Sequence, residues 1–296
     1  MRDSFADFHP FVNLTYFVLV IAFSLAITHP IAQVISLACA VCYLLTASGR
    51  KSTRLIFKYG LPMVLFTAFL NPAFNHEGDT VLLYFSNGNP LTLQSILYGF
   101  SAGVLLVTLL LWFSSFSRVM TSDKFIHLFG KIIPALSLVL SMSLRFVPKF
   151  KSQMDIVTEA QRSIGRDVSN GSLWSRAKTA ILIFSIMITW SLENAIETAD
   201  SMKSRGYGLK GRTAFSIYRF DDRDKYTIVW LAFCGLFLLV GTILSAFEFG
   251  YFPYIKYAVL DITTIPFYVV FFGLCITPVI INLKEERKWK TSISKM

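Results

Sequence analysis

The chain has 296 residues, 54% of them hydrophobic and only 16% charged, with 28 Phe, 12 Tyr and 5 Trp and a mean hydropathy of +0.57. A soluble domain carries about a quarter charged residues, so disorder and an ordinary water-soluble fold are both excluded, and lipid is the remaining solvent. The 28 Lys and Arg outnumber the 18 Asp and Glu, for a formal net charge of +10, which raises nucleic acid or an acidic membrane face as partner until the charges are placed.

Uncharged stretches approaching bilayer length occur at Phe11–Thr28, Ile31–Ser48, Tyr59–Phe74, Ser95–Ser117 and Tyr226–Phe247. A sixth covers Tyr257–Leu283 with Asp261 as its one charge. Crossing a hydrocarbon core of ~30 Å takes ~20 helical residues, which the shorter stretches reach with flanking residues or local thinning. Six spans are expected. His29-Pro30 separates the first two, where proline ends one helix and opens the next, so a tight hairpin is predicted. No cleavable signal peptide is expected, because the first apolar segment lacks a basic flank and a small-residue cleavage site.

Charge sets the orientation. Asn71–Gln94 holds no Lys or Arg and Glu248–Lys256 holds one, whereas 17 of the 28 lie between Arg118 and Lys225. This is the positive-inside pattern, so both termini and the long middle segment are expected in the cytoplasm, as six crossings require. Topology therefore explains the basic balance, and no aromatic-interleaved basic motif points to nucleic acid. Cys39, Cys42, Cys234 and Cys275 all fall inside expected spans, where a thiol behaves as a small apolar group.

The middle segment carries two apolar runs, Ile132–Leu144 and Ala180–Leu192, too short to cross alone and too apolar to face water. Each continues into an amphipathic stretch: Phe150, Met154, Val157, Gln161 and Ile164 recur at helical spacing, as do Ala195, Ala199 and Met202. Two long helices are predicted. Pro134 suits the first turn of one and Ser172 the N-cap of the other, with stops at Gly165 and at Gly206 or Gly208. Both finish in a small residue, a variable position and glycine among arginines, as Ser163-Ile164-Gly165-Arg166 and Ser204-Arg205-Gly206-Tyr207. The exposed carbonyls of a helix C-terminus favour a cation, and arginine there can also reach a carboxylate or carbonyl of another protein. A pair of helices lying on the inner leaflet explains the charge but not these ends.

With His9-Pro10, the run Leu140-Ser141-Met142-Ser143-Leu144-Arg145-Phe146-Val147-Pro148, Ala160-Gln161 and Ser204-Arg205-Gly206-Tyr207, the chain resembles the transmembrane T component of energy-coupling factor (ECF) transporters, modular ABC-type importers of vitamins and transition-metal ions. The resemblance implies that two Ala-Arg-Gly-like helix ends dock in grooves of two ATPase subunits, while the membrane face of the coupling domain cradles a separate substrate-binding S component. Ser204, Arg205 and Gly206 match the second signature. The first departs from it: Ile164 stands at the arginine position between Ser163 and Gly165, flanked by Arg162 and Arg166. Either a neighbouring arginine substitutes or this end docks by apolar packing. Leu136, Leu140, Leu144, Ile183, Met187 and Trp190 are the expected seat of the S component, with packing on the chain's own spans as the alternative.

The expected fold is thus an all-α polytopic membrane protein with about six transmembrane helices. Residues 1–118 form helices 1–4, 119–224 a cytoplasmic coupling domain of long amphipathic helices, and 225–296 helices 5–6 with a basic tail. No catalytic or metal constellation is visible: there is no phosphate-binding G-x-x-x-x-G-K-[ST] loop, no H-E-x-x-H, and His9, His29, His76 and His127 are scattered. ATP and Mg then belong to partner subunits, and no cofactor is expected in this chain. A self-sufficient secondary transporter would need ionisable groups at mid-membrane, for which Asp261 is the nearest candidate. An inner-face membrane enzyme would have to use the Asp221-Asp222-Arg223-Asp224 run.

Overall fold

In a computed structural model, residues 3–48, 56–84, 88–209, 218–257 and 263–293 are described. Two compact units emerge, one formed by Met1–Lys124 with Tyr218–Met296 and the other by Phe125–Ile217. Asp261 and the basic stretch 49–55 lie outside the described residues.

The first unit begins with a 3-10 turn, Ser4–Asp7, followed by helices α1 (Pro10–Ala26) and α2 (Pro30–Ser48). Each helix opens on a His-Pro pair used in the same way. The Phe11 amide donates to His9 Nδ1 (3.2 Å) and the Ile31 amide to His29 Nδ1 (3.3 Å), while proline fills the first helical position, where its missing N–H costs nothing. A short α3 (Leu61–Phe74) leads through a hairpin of β1 (Val81–Tyr84) and β2 (Pro90–Thr92) into the long α4 (Leu93–Val119). Helices α8 (Asp222–Ile243) and α9 (Ile265–Ile293) close the unit, with a second small hairpin, β3 (Phe249–Gly250) and β4 (Lys256–Tyr257), between them. Three helices intervene in the chain between α4 and α8: α5 (Ser122–Ile132), which runs from the first unit into the second, then α6 (Pro134–Ser163) and α7 (Leu173–Ser204).

Aromatic rings fill the core of the first unit: Phe5, Tyr16, Phe17, Tyr43 and Trp112 are fully buried and meet mostly edge to face. Their polar tips are paired, Tyr16 Oη donating to the Cys275 carbonyl (3.1 Å) and Trp112 Nε1 to Ser36 Oγ (3.0 Å), as burial requires. The N-terminal segment is tied in by Asp3, which accepts from Tyr43 Oη (2.8 Å) and Asn282 Nδ2 (2.9 Å). Helix α3 is held against α4 by backbone approach. A Cβ at Gly99 would stand 2.8 Å from the Thr67 carbonyl oxygen, and one at Gly103 2.8 Å from Val64 Cα. Gly99 and Gly103 form the G-x-x-x-G spacing by which membrane helices come close.

In the second unit, α6 and α7 pack through a ring cluster in which Trp190 stacks on Phe146 (5.6 Å between centroids) beside Phe150. Pro134 occupies the first turn of α6, and the helix continues through Pro148. Ser172 Oγ accepts from the Ser175 amide (3.3 Å) at the start of α7.

The all-α polytopic membrane fold is as expected, but the spans differ in detail. Among the described residues, five helices are long and apolar enough to cross a membrane: Pro30–Ala47 of α2, α4, α7, α8 and Ile265–Trp289 of α9. Helix α1 is apolar but has 17 residues, and α3 has 14 with Pro72 inside it. Tyr257, expected to open the last span, lies instead in β4. Helix α7 was expected to contain only a short apolar run. It qualifies because the helix extends 32 residues, well past the Lys178 and Glu193 that bound Ala180–Leu192 in the sequence.

Candidate functional site

The two helix ends singled out by sequence share one backbone solution. At the end of α6 the Gly165 amide donates to the Arg162 carbonyl (3.0 Å) and the Arg166 amide to the Gln161 carbonyl (2.9 Å), with Gly165 at φ 81°. At the end of α7 the Gly206 amide donates to Lys203 (2.9 Å) and the Tyr207 amide to Met202 (3.0 Å), with Gly206 at φ 73°. This is the Schellman stop, in which a left-handed glycine turns two amides back onto the last carbonyls. Position by position, Ser163 corresponds to Ser204, Ile164 to Arg205, Gly165 to Gly206 and Arg166 to Tyr207. Both capping residues are exposed, Ile164 by 64%. One end therefore offers an apolar cap followed by a cation, the other a cation followed by an aromatic ring.

The first end is braced by the loop after it. Asp167 accepts from the Ser169 amide (2.9 Å) and from Asn170 Nδ2 (3.0 Å), and the Arg162 guanidinium lies 3.5 Å from its carboxylate. Arg176 Nε donates to the Val168 carbonyl (2.7 Å), fastening the start of α7 to the same loop. The hydrogen bonds from Ser169 hold the Asp167 carboxyl below the usual carboxylate range, and the guanidinium groups of Arg162 and Arg176 add to this. Arg162 thus has a partner within its own loop, whereas Arg166 follows the left-handed glycine, two positions beyond the cap. Leu173 and Trp174, both more than four-fifths exposed, follow the same loop.

The six residues expected to seat an S component do not share one exposed surface. Leu136, Leu140 and Leu144 are exposed on α6; Ile183 and Met187 are buried, and Trp190 is half-buried in the ring cluster. The exposed apolar stripe of α7 is made instead by Ile181, Phe184, Ile188, Leu192 and Ile196. Helix α7 is apolar on both faces, so helical spacing alone does not tell which face turns outward.

The acidic run before α8 has a structural use. Asp224 accepts from the Asp221 amide (2.9 Å) and, through its other oxygen, from the His9 amide (3.0 Å). It thereby joins the starts of α8 and α1, and Asp222 pairs with Lys225 at 2.7 Å. Among the described residues, no group of three or more His, Cys, Asp or Glu side chains is placed to hold a metal ion. The sequence marks His29-Pro30 as a helix junction and contains His9-Pro10, but the capping by both histidines and the close approach at Gly99 and Gly103 are seen only in the structure.

Comparison with known proteins bears on this arrangement. The chain is 38% identical over 122 residues to the energy-coupling factor transporter transmembrane protein EcfT of Lactobacillus helveticus (strain DPC 4571), covering 41% of this chain and 42% of that one. It is 36% identical over 107 residues to EcfT 1 of Listeria monocytogenes serotype 1/2a (strain 08-5578), covering 35% and 40%. With EcfT of Acidaminococcus fermentans (strain ATCC 25085 / DSM 20731 / CCUG 9996 / CIP 106432 / VR4) the identity is 32% over 150 residues, covering 49% and 53%. The match spans less than half the length of the first two relatives and about half of the third. A family model described as CbiQ, cobalt transport protein, matches residues 10–217, which take in α1–α7 and both helix ends, and the chain belongs to that family.

Proposed function

We propose that this protein is the transmembrane scaffold of an ATP-driven ECF-type importer, coupling hydrolysis in two partner ATPase subunits to movement of a substrate-binding S component for vitamin or metal-ion uptake. The observation that carries the proposal is the pair of matched, exposed Schellman ends on α6 and α7, in a chain of the CbiQ family whose similar proteins are named as transmembrane proteins of ECF transporters. Rigid helices capped alike are suited to carry displacement, because the cap removes fraying at the point of contact.

In this proposal Ser204, Arg205 and Gly206 enter one ATPase groove. Arg205 serves as a planar donor to carboxylate or carbonyl groups. Ser163, Ile164 and Gly165 enter the other, with Ile164 packing apolarly and Arg166 lying at the rim. Arg162 positions the loop through Asp167 rather than replacing the missing arginine. Leu136, Leu140 and Leu144 meet the S component together with the outward stripe of α7, while Ile183, Met187 and Trp190 support that surface from within. Nucleotide-driven closure of the ATPases moves both helices, and the differential contact at their ends links hydrolysis to the membrane partner. The chain itself is non-catalytic and holds no cofactor; ATP and Mg bind the partners, and nucleic acid has no part. The protein lies in the cell membrane with both termini and the charged C-terminal ends of α6 and α7 on the cytoplasmic side.

Purification of the full chain from its own cells in mild detergent tests this. Two ATP-binding subunits and a small hydrophobic membrane protein are expected to accompany it. Uptake catalysed by the chain alone would overturn the proposal.

A further inference from the structure

The chain passes between the two units twice, after Lys124 and before Tyr218. Within the first unit, both passages are fastened to the same short stretch, Asp3–His9. Lys124, buried near the start of α5, donates from its ammonium to the Ala6 carbonyl. Asp224, buried near the start of α8, accepts the His9 amide through one oxygen (3.0 Å) and the Asp221 amide through the other (2.9 Å). The Phe220 and His9 rings meet edge to face, 5.1 Å between centroids, and the Arg223 guanidinium lies 5.6 Å from the centre of the Phe8 ring. Tyr218 and Thr121 share a side-chain hydrogen bond, which joins one passage to the other.

The stretch is itself anchored in the helices of the first unit. Phe5 is fully buried, with its ring against those of Tyr16, Phe17 and Tyr43. Its amide donates to Asn282 Oδ1 on α9 (3.0 Å), while Asp3 accepts from Tyr43 on α2 and from Asn282. An ammonium leaves water at a cost in free energy unless carbonyl or carboxylate oxygens replace the water. Burial pushes the Lys124 ammonium below the ordinary lysine value, and the Asp7 and Asp3 carboxylates oppose that shift. Lys124 thus puts its charge where it holds main chain rather than where it meets solvent.

A displacement delivered at the ends of α6 and α7 is passed on only as far as the chain passages resist it, because a slack joint absorbs movement by local rearrangement. We infer that Asp3–His9 is a clasp holding both passages rigid, with Lys124 and Asp224 as its positioning residues, so that nucleotide-driven displacement reaches the membrane partner. The inference rests on the coupling proposal and adds to it the fixed base against which α6 and α7 work.

The test uses the assembled complex in proteoliposomes, supplied with ATP and with radiolabelled cobalt(II) or members of a panel of radiolabelled B vitamins, and reads uptake and ATP hydrolysis in the same vesicles. Lys124→Met keeps the apolar stem and removes the donor to Ala6; Asp224→Asn sets an amide donor against one of the two backbone amides. Each variant is expected to keep its ATPase subunits and their hydrolysis while uptake per ATP falls by about tenfold, the factor for losing one hydrogen bond to a charged group. Lys124→Arg restores a donor and should return the ratio close to wild type. Asp222→Asn, in the same acidic run but paired at the surface with Lys225, should leave it unchanged. Undiminished uptake per ATP in both Lys124→Met and Asp224→Asn overturns the inference. So does loss of assembly with a lowered unfolding midpoint in both, which would make the clasp a folding element alone. Without any variant, hydrogen exchange at the Ala6, His9 and Lys124 amides should stay equally slow in the wild-type complex with and without ATP, and faster exchange on adding ATP also overturns the inference. A wild-type chain that purifies without ATP-binding subunits would instead overturn the coupling proposal, and the inference with it.

Discussion

The two units of this protein differ in how much apolar core they enclose. In the unit of Met1–Lys124 and Tyr218–Met296, large rings such as Trp112, Tyr16 and Phe271 are wholly buried and their polar atoms are paired inside. In the unit of Phe125–Ile217, Thr179, Ile183 and Met187 are the only buried side chains among the described residues, and both long helices leave leucine and isoleucine exposed. The first unit has a core of its own beneath helices that also expose large apolar side chains, such as Phe69 and Ile243. The second offers surface that something else must cover, and exposed apolar area on this scale marks contact with lipid or protein. Substitutions in the buried core of the first unit should therefore act on folding, and those at the exposed ends of the second on association.

The largest effect is expected from Gly103→Leu, which forces α4 away from the Val64 backbone. It should cost about 3 kcal/mol or more, at the upper end of overpacking penalties because the obstacle is main chain, and appear as a lowered thermal unfolding midpoint in detergent. Arg205→Glu should leave that midpoint unchanged and weaken association with an ATPase subunit by about 2–3 kcal/mol, in the range for losing one side of an interfacial charge contact. Titrated pull-down measures it. Ile164→Asp should cost association about 2 kcal/mol and Ile164→Leu less than about 1, because a buried charge is penalised and a volume-conserving swap is tolerated. Equal effects of the two would remove the apolar reading of the first end.

The smallest effect concerns Asp167. Its carboxyl is held below the ordinary carboxylate value in the folded chain, so its bracing is fully present above about pH 4 and fades as pH falls through the lowered folded value. Hydrogen exchange at the Ser169 amide should speed up in acid in the wild type. Asp167→Asn should exchange faster at neutral pH and lose that acid dependence.

Much of this division was legible in the sequence. The helix stops at Gly165 and Gly206, the Ser172 cap and the Pro134 start each follow from one residue's backbone preference. The outward face of α7 did not, because Ile183 and Met187 on one side and Phe184 and Ile188 on the other are equally apolar, and which side turns inward is decided by Phe146 and Phe150 on another helix. Span lengths were blurred for a related reason. Helix α7 runs past the charges that bound its apolar run, while Pro72 and the loop before β1 keep α3 short. The role of Asp167 was hidden because its partners Ser169 and Asn170 form a turn whose geometry is not a spacing rule.

The most direct test is ATP-driven uptake by the assembled complex in proteoliposomes, comparing wild type with Arg205→Glu at equal incorporation. Uptake lost or sharply reduced, with the variant chain folded and inserted as before, is the expected result. Undiminished ATP-driven uptake in Arg205→Glu would contradict the coupling role of the α7 end.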